Sequence, residues 1–132
     1  MSTLEQVRQA AAILVDHFGA GRVQQYFECF SADADFIFYT HNEHLTSRVA
    51  YEELWKSWEA EIDFKVLSCT SSDQQIRLVG PTAALFTHNV STTVSTNEGS
   101  DVVLERETIV FEFINGSWIA VHEHLSPMPA NS

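Results

Sequence analysis

The residues Asn115-Gly116-Ser117-Trp118-Ile119-Ala120-Val121-His122-Glu123-His124-Leu125-Ser126 decide how this chain folds. Asn115-Gly116 stands between two apolar runs. Both central residues of a type I′ hairpin turn need positive φ, which asparagine and glycine tolerate best. Ser117 to Ser126 is therefore expected to fold back as a strand on Thr108 to Ile114. Side chains alternate along a strand, so Trp118, Ala120, His122, His124 and Ser126 share one face, and Ile119, Val121, Glu123 and Leu125 the other. Two imidazoles then point the same way near the end of the chain, where a ligand pocket is expected.

Upstream of this hairpin the chain keeps the character of a strand meander. Phe64 to Ser71 and Gln74 to Val79 alternate imperfectly about Ser71-Ser72-Asp73, which predicts one bent strand or two strands across a bulge. Gly80-Pro81-Thr82 is a turn, Ala83 to Thr96 is rich in Thr and Val, and Asn97-Glu98-Gly99-Ser100 turns into Val102 to Ile114. The first half reads differently. Ser2-Thr3-Leu4-Glu5 is a capping pattern ahead of Leu4, Val7, Ala11, Leu14, Val15 and Phe18 at helical spacing, and Gly19-Ala20-Gly21 ends that helix. A second, shorter helix carries Val23, Tyr26, Phe27 and Phe30. Ala34 to His41 is the first strand, with Asp35, Ile37, Tyr39 and His41 facing one way and Phe36, Phe38 and Thr40 the other. Thr46 or Ser47 caps a third helix to about Ile62, striped with Leu54, Trp55, Trp58 and Ile62.

Helices first and strands after argue an α+β fold. Long antiparallel strands coil, so the expected architecture is a cone-shaped barrel: a strongly curved antiparallel or mixed sheet, closed by three N-terminal helices around a pocket that the helices do not fill. The 132 residues suit a single domain, 1–132. Seven Lys and Arg against eighteen Asp and Glu give a net charge of −11, a field that repels phosphate backbones and anionic lipid and so argues against nucleic acid or a membrane as partner. Cys29 and Cys69 form no CxxC motif, and Met1 to Phe18 is broken by Glu5, Arg8, Gln9 and Asp16. A cytoplasmic protein without signal peptide or membrane span is expected.

The element order, Glu107-Thr108 opening a strand, Asn115-Gly116-Ser117-Trp118 at the turn and Val121-His122-Glu123-His124-Leu125-Ser126 at the end together resemble the nuclear transport factor 2-like superfamily. Within it the chain is similar to the SnoaL-like branch and to the association domain of calcium/calmodulin-dependent protein kinase II, which also ends on a Gly-x-Trp turn and a Val-His-x-His-x-Ser strand. The resemblance covers Glu5 to Pro127. It implies a cone-shaped α+β barrel and a homodimer formed through the outer sheet face, but no particular reaction, because this fold hosts isomerases, cyclases, dehydratases and non-catalytic members. It also implies that Arg106 and Thr108 face the cavity, leaving Glu107 on the dimer side or paired with a neighbour. Thr87-His88-Asn89-Val90-Ser91 lacks the arginine that the kinase association domains carry, with Arg106 as the substitute.

The expected ligand-binding residues are Tyr39, Trp58, His88, Arg106, Thr108, His122 and His124. Imidazoles move protons near neutral pH and bind metals, and with His88 or His41 added three of them would meet at the mouth of the cone. The plainer reading is that His122 and His124 are structural. No third ligand stands at metal-diagnostic spacing, so no metal and no cofactor are expected. Steroid isomerase-type members of this fold use a carboxylate base opposite a tyrosine and a neutral acid, for which Tyr39, Glu105, Glu107 and Asp35 supply pieces without fixing a base. Trp55 and Trp58 read first as core packing of a helix over a sheet, with pocket wall as the alternative. Cys29, Cys69 and Ser126 lack the setting of a nucleophile. Two readings stay open: a pocket for an unknown hydrophobic or aromatic small molecule, with isomerase- or cyclase-type acid/base chemistry if it is catalytic, and a non-catalytic ligand sensor or self-association module.

Overall fold

The computed structural model describes residues 3–129 and runs in the order α1 (Thr3–Gly19), α2 (Val23–Glu28), β1 (Phe30–Phe38), α3 (Arg48–Ile62), β2 (Lys65–Leu78), β3 (Ala83–Thr96), β4 (Gly99–Ile114) and β5 (Ser117–Pro127). Asn115 and Gly116 take φ of 52° and 83° between β4 and β5, and Ile114 pairs with Ser117 across them. The anticipated hairpin is present. The helix capping pattern at Ser2 lies outside the described residues. At α3, Ser47 is the cap: its side-chain oxygen accepts from the Ala50 backbone N–H at 3.1 Å, satisfying one of the free amides of the first turn.

The strands form one five-stranded mixed sheet in the order β1-β5-β4-β3-β2. Only β1 and β5 run parallel. The order does not close on itself, and the α+β architecture is completed by the N-terminal helices over one face. Alternation along β3 sorts that face cleanly. Ala84, Phe86, His88, Val90 and Thr92 are all buried, whereas the residues between them are half-buried. β2 is a single strand whose pairing with β3 slips between Ser72 and Gln75, where Asp73 takes φ of 51°. This bulge falls opposite His88.

Aromatic rings fill the space between helices and sheet. Phe30, Phe36, Phe86 and Phe111 are fully buried, and Tyr51 of α3 stands over Phe36 with ring centroids 4.6 Å apart. Gly19 lets α1 lie directly against β2, since a Cβ there would sit 3.1 Å from both the Cβ and the backbone nitrogen of Cys69. No helix among the described residues is long and apolar enough to cross a membrane.

One irregularity changes which face the final strand shows. Val110 pairs with His122 but Phe111 with Ala120, so Val121 is an extra residue in β5. A bulge of one residue reverses the alternation beyond it. Ala120 and Glu123 are consequently both buried, at 0% and 3% exposure. The strict alternation expected from sequence is corrected here: Trp118 and Ala120 do not share a face with His122, His124 and Ser126.

Candidate functional site

Three glutamates enter the interior because they share strand parity with core residues. On β4, Glu105 and Glu107 alternate in step with the fully buried Ile109 and Phe111, and on β5 the bulge turns Glu123 the same way. They border a cavity of about 280 Å³ between sheet and helices, walled by Phe18 of α1, Tyr26 of α2, Tyr51, Trp55 and Trp58 of α3, and Phe64. Tyr39 and Ile62, 45% and 38% exposed, stand at its mouth.

The polar groups on the floor form one continuous chain of hydrogen bonds. Tyr26 Oη donates to Glu123 Oε1 at 3.1 Å and lies 3.1 Å from Tyr51 Oη. Glu123 and Glu107 are hydrogen-bonded to each other, which requires a proton on one of them. Glu107 Oε1 lies 2.7 Å from His88 Nε2, and His88 Nδ1 lies 2.6 Å from Ser71 Oγ. Ser71 in turn accepts from Gln74 Nε2 at 2.8 Å, at the bulge of β2. A neutral His88 with its proton on Nε2 satisfies every contact: it donates to Glu107 and accepts from Ser71. Near the mouth, Tyr39 Oη donates to Glu105 Oε2 at 2.7 Å.

The titration behaviour follows from this geometry. Burial first, then the charge of Glu107 and the bond to it, push the Glu123 carboxyl well above its usual range. Glu107 is raised too, again chiefly by burial. The pair therefore shares a proton, both carboxyls being held above the ordinary carboxylate range. Burial lowers His88 to about 4, and burial with the Glu105 bond pushes Tyr39 up to about 12. A carboxyl whose folded pKa is raised contributes stability below its unfolded pKa, and that contribution is lost as pH rises through the folded value. His88, depressed when folded, acts in the opposite sense: its contribution is present above about 6.5 and is lost as pH falls toward 4. Glu123→Gln should therefore gain on the wild type as pH increases. By pH ~8 the gain should reach at least about 1.4 kcal/mol, the equivalent of one pKa unit. Urea unfolding at acid and alkaline pH measures this; a difference independent of pH would show that Glu123 titrates normally.

The residues expected from sequence divide between two faces. Tyr39, Trp58 and His88 border the interior cavity. Arg106, Thr108 and His124 are brought together in a polar groove on the outer face of the sheet with Thr87, Asn89 and Ser126, and His88 and Glu107 border that groove as well as the interior cavity. The expectation that Arg106 and Thr108 face the cavity, with Glu107 outside, is thus corrected, because the parity that buries Ile109 and Phe111 buries Glu107 and turns Arg106 and Thr108 out. His122 Nδ1 bonds Asp35 Oδ1 at 2.8 Å, and Asp35 Oδ2 lies 2.6 Å from His44 Nε2. His122 is thereby held on β1, with its ring 6.1 Å from that of His124. His124 borders one groove with His88, whereas His122 borders neither that groove nor the cavity, so the three imidazoles do not converge. The glutamate pair was not among the expected ligand-binding residues.

The SnoaL-like domain family model matches residues 7–131. No curated protein matches the sequence. Among solved structures, a Prochlorococcus marinus NTF2-like protein of unknown function is 21% identical, with a TM-score of 0.78 over 99% of this chain and 97% of its own. The hub homology domain of the Chlamydomonas reinhardtii calcium/calmodulin-dependent kinase II is 19% identical, with a TM-score of 0.74 over 98% of this chain and 100% of its own. A Novosphingobium aromaticivorans protein to which scytalone dehydratase activity has been ascribed is 15% identical, with a TM-score of 0.79 over 95% of this chain and 83% of its own. At these identities the likenesses show the fold alone.

Proposed function

The chain belongs to the SnoaL-like domain family, and from that premise we propose that it binds a small hydrophobic molecule in the aromatic cavity and transfers a proton on it. Glu107 is the base and Glu123 the neutral acid beside it. The observation that carries this reading is the hydrogen-bonded Glu107–Glu123 pair on the floor of an apolar cavity. Burial raises the basicity of a carboxylate, and a neutral carboxylic acid next to it supplies a donor for the charge that develops on the ligand. Tyr26 and Tyr51 extend the donor chain from the helices, while His88 holds Glu107 from the other side. The dehydratase activity ascribed to one fold neighbour is also acid/base chemistry.

The test needs no knowledge of the natural ligand. An aromatic ketone such as 2-indanone carries acidic α-hydrogens, and their exchange with deuterium in heavy water is read by proton NMR. The protein should accelerate this exchange above an equal concentration of acetate buffer. Exchange at the buffer rate would end the acid/base reading.

We also propose that the chain assembles as a homodimer through the outer sheet face, away from the cavity, and works in the cytoplasm. Leu104 lies on that face and is 57% exposed, and the hub and association domains among the fold neighbours are named for assembly. Both cysteines are free thiols, which suits a reducing compartment. Light scattering should return a dimer mass, and Leu104→Glu should convert it to monomer. A monomeric wild type at micromolar concentration would refute the assembly.

A further inference from the structure

We propose that the ligand of the interior cavity is an organic cation, a protonated or quaternary amine on a hydrophobic body. The inference rests on the ligand-pocket reading above and adds the charge of the ligand. Three glutamates border the cavity, and among the described residues no lysine or arginine does. The partners of these glutamates are themselves uncharged: Tyr39 for Glu105, Tyr26 for Glu123 and neutral His88 for Glu107. Sharing one proton still leaves the pair a negative charge, and Glu105 lies nearer the mouth beside Tyr39. Buried carboxylates without a counter-charge are costly. A cation entering this space would offset that cost, whereas a neutral guest leaves it in place and an anion raises it.

The walls are matched to the same guest. Tyr51, Trp55, Trp58 and Phe64 form a connected cluster on one side, with Trp55 and Trp58 ring centroids each within 5.3 Å of Phe64. Aromatic faces carry negative potential, and a cation within reach of several is held more strongly once desolvated. The overall charge of −11 draws cations toward the chain rather than away from it.

Phenyltrimethylammonium and tert-butylbenzene have nearly the same shape and differ by the charge on one atom. Their binding to the full chain should be followed by calorimetry and tryptophan fluorescence at pH ~8 and about 0.15 M salt, where surface attraction is screened. The ammonium compound should bind at least about tenfold more tightly, equivalent to about 1.4 kcal/mol. Glu105→Gln and Glu107→Gln should each narrow that ratio. Equal or tighter binding of tert-butylbenzene overturns the proposal while leaving the ligand pocket standing; binding of neither compound overturns both. Val90→Trp, which fills the cavity, should remove binding of both compounds. Unchanged ammonium binding by a folded Val90→Trp protein would put the cation on the acidic surface and also overturn the proposal.

Discussion

Glu107→Gln is expected to slow the protein-accelerated deuterium exchange of 2-indanone by about 10²–10⁴-fold, the usual contribution of a positioned general base. Glutamine keeps the shape of glutamate and still offers an oxygen to His88 Nε2, so the hydrogen-bond chain to Ser71 and Gln74 survives. Only the basic oxygen is lost. Glu123→Gln makes the informative contrast. Its amide N–H can still donate to Glu107, so the base stays oriented and the ligand still meets a donor. What disappears is the transferable proton. Its loss of rate should therefore be smaller than that of Glu107→Gln, and the ranking separates base from acid. If Glu107→Gln exchanges the probe as fast as the wild type, Glu107 is not the base, and the paired carboxyls are a structural feature of the floor.

The hairpin, the three helices and the run of long strands were legible because each is written in local chemistry: Asn115-Gly116 for the turn, Ser47 for the cap, and the spacing of Leu54, Trp55 and Trp58 for the buried side of α3. The facing of the last strand was not. It depends on Val121 being left unpaired opposite β4, and nothing in Ala120-Val121-His122 differs from a regular strand. That single extra residue decides whether Glu123 or the two histidines enter the interior. The glutamate pair was hidden for a related reason. A glutamate on a strand usually faces water, and its burial here comes from partners 16 or more residues away along the chain, Glu123 and His88. One signal was available. Glu105 and Glu107 keep step with Ile109 and Phe111, and that parity alone points them inward, against the family resemblance that placed Arg106 and Thr108 there.

Phe36→Ala is expected to cost about 3–5 kcal/mol of folding stability, the range for deleting a fully buried phenylalanine ring. Phe36 has no exposed surface, and its ring lies 5.1 Å from Phe30, 6.0 Å from Phe38 and 4.6 Å from Tyr51. The surroundings are poorly placed to collapse into the void. On the strand itself, Phe36 exchanges two backbone hydrogen bonds with Leu45, at 2.8 and 3.0 Å, and β1 is pinned to β5 on its other side. The lost contacts also reach the site. Tyr51 is positioned by Phe36 from below and passes its order to Tyr26 and Glu123 through the hydroxyl contact at 3.1 Å. Urea unfolding should therefore show a lowered midpoint, and the surviving folded protein should exchange 2-indanone more slowly than the wild type. Phe36→Leu refills most of the volume and should recover both quantities in large part. A Phe36→Ala protein within about 1 kcal/mol of the wild type would place the ring outside the core, and undiminished exchange in a destabilised variant would separate Tyr51 from the proton-transfer floor.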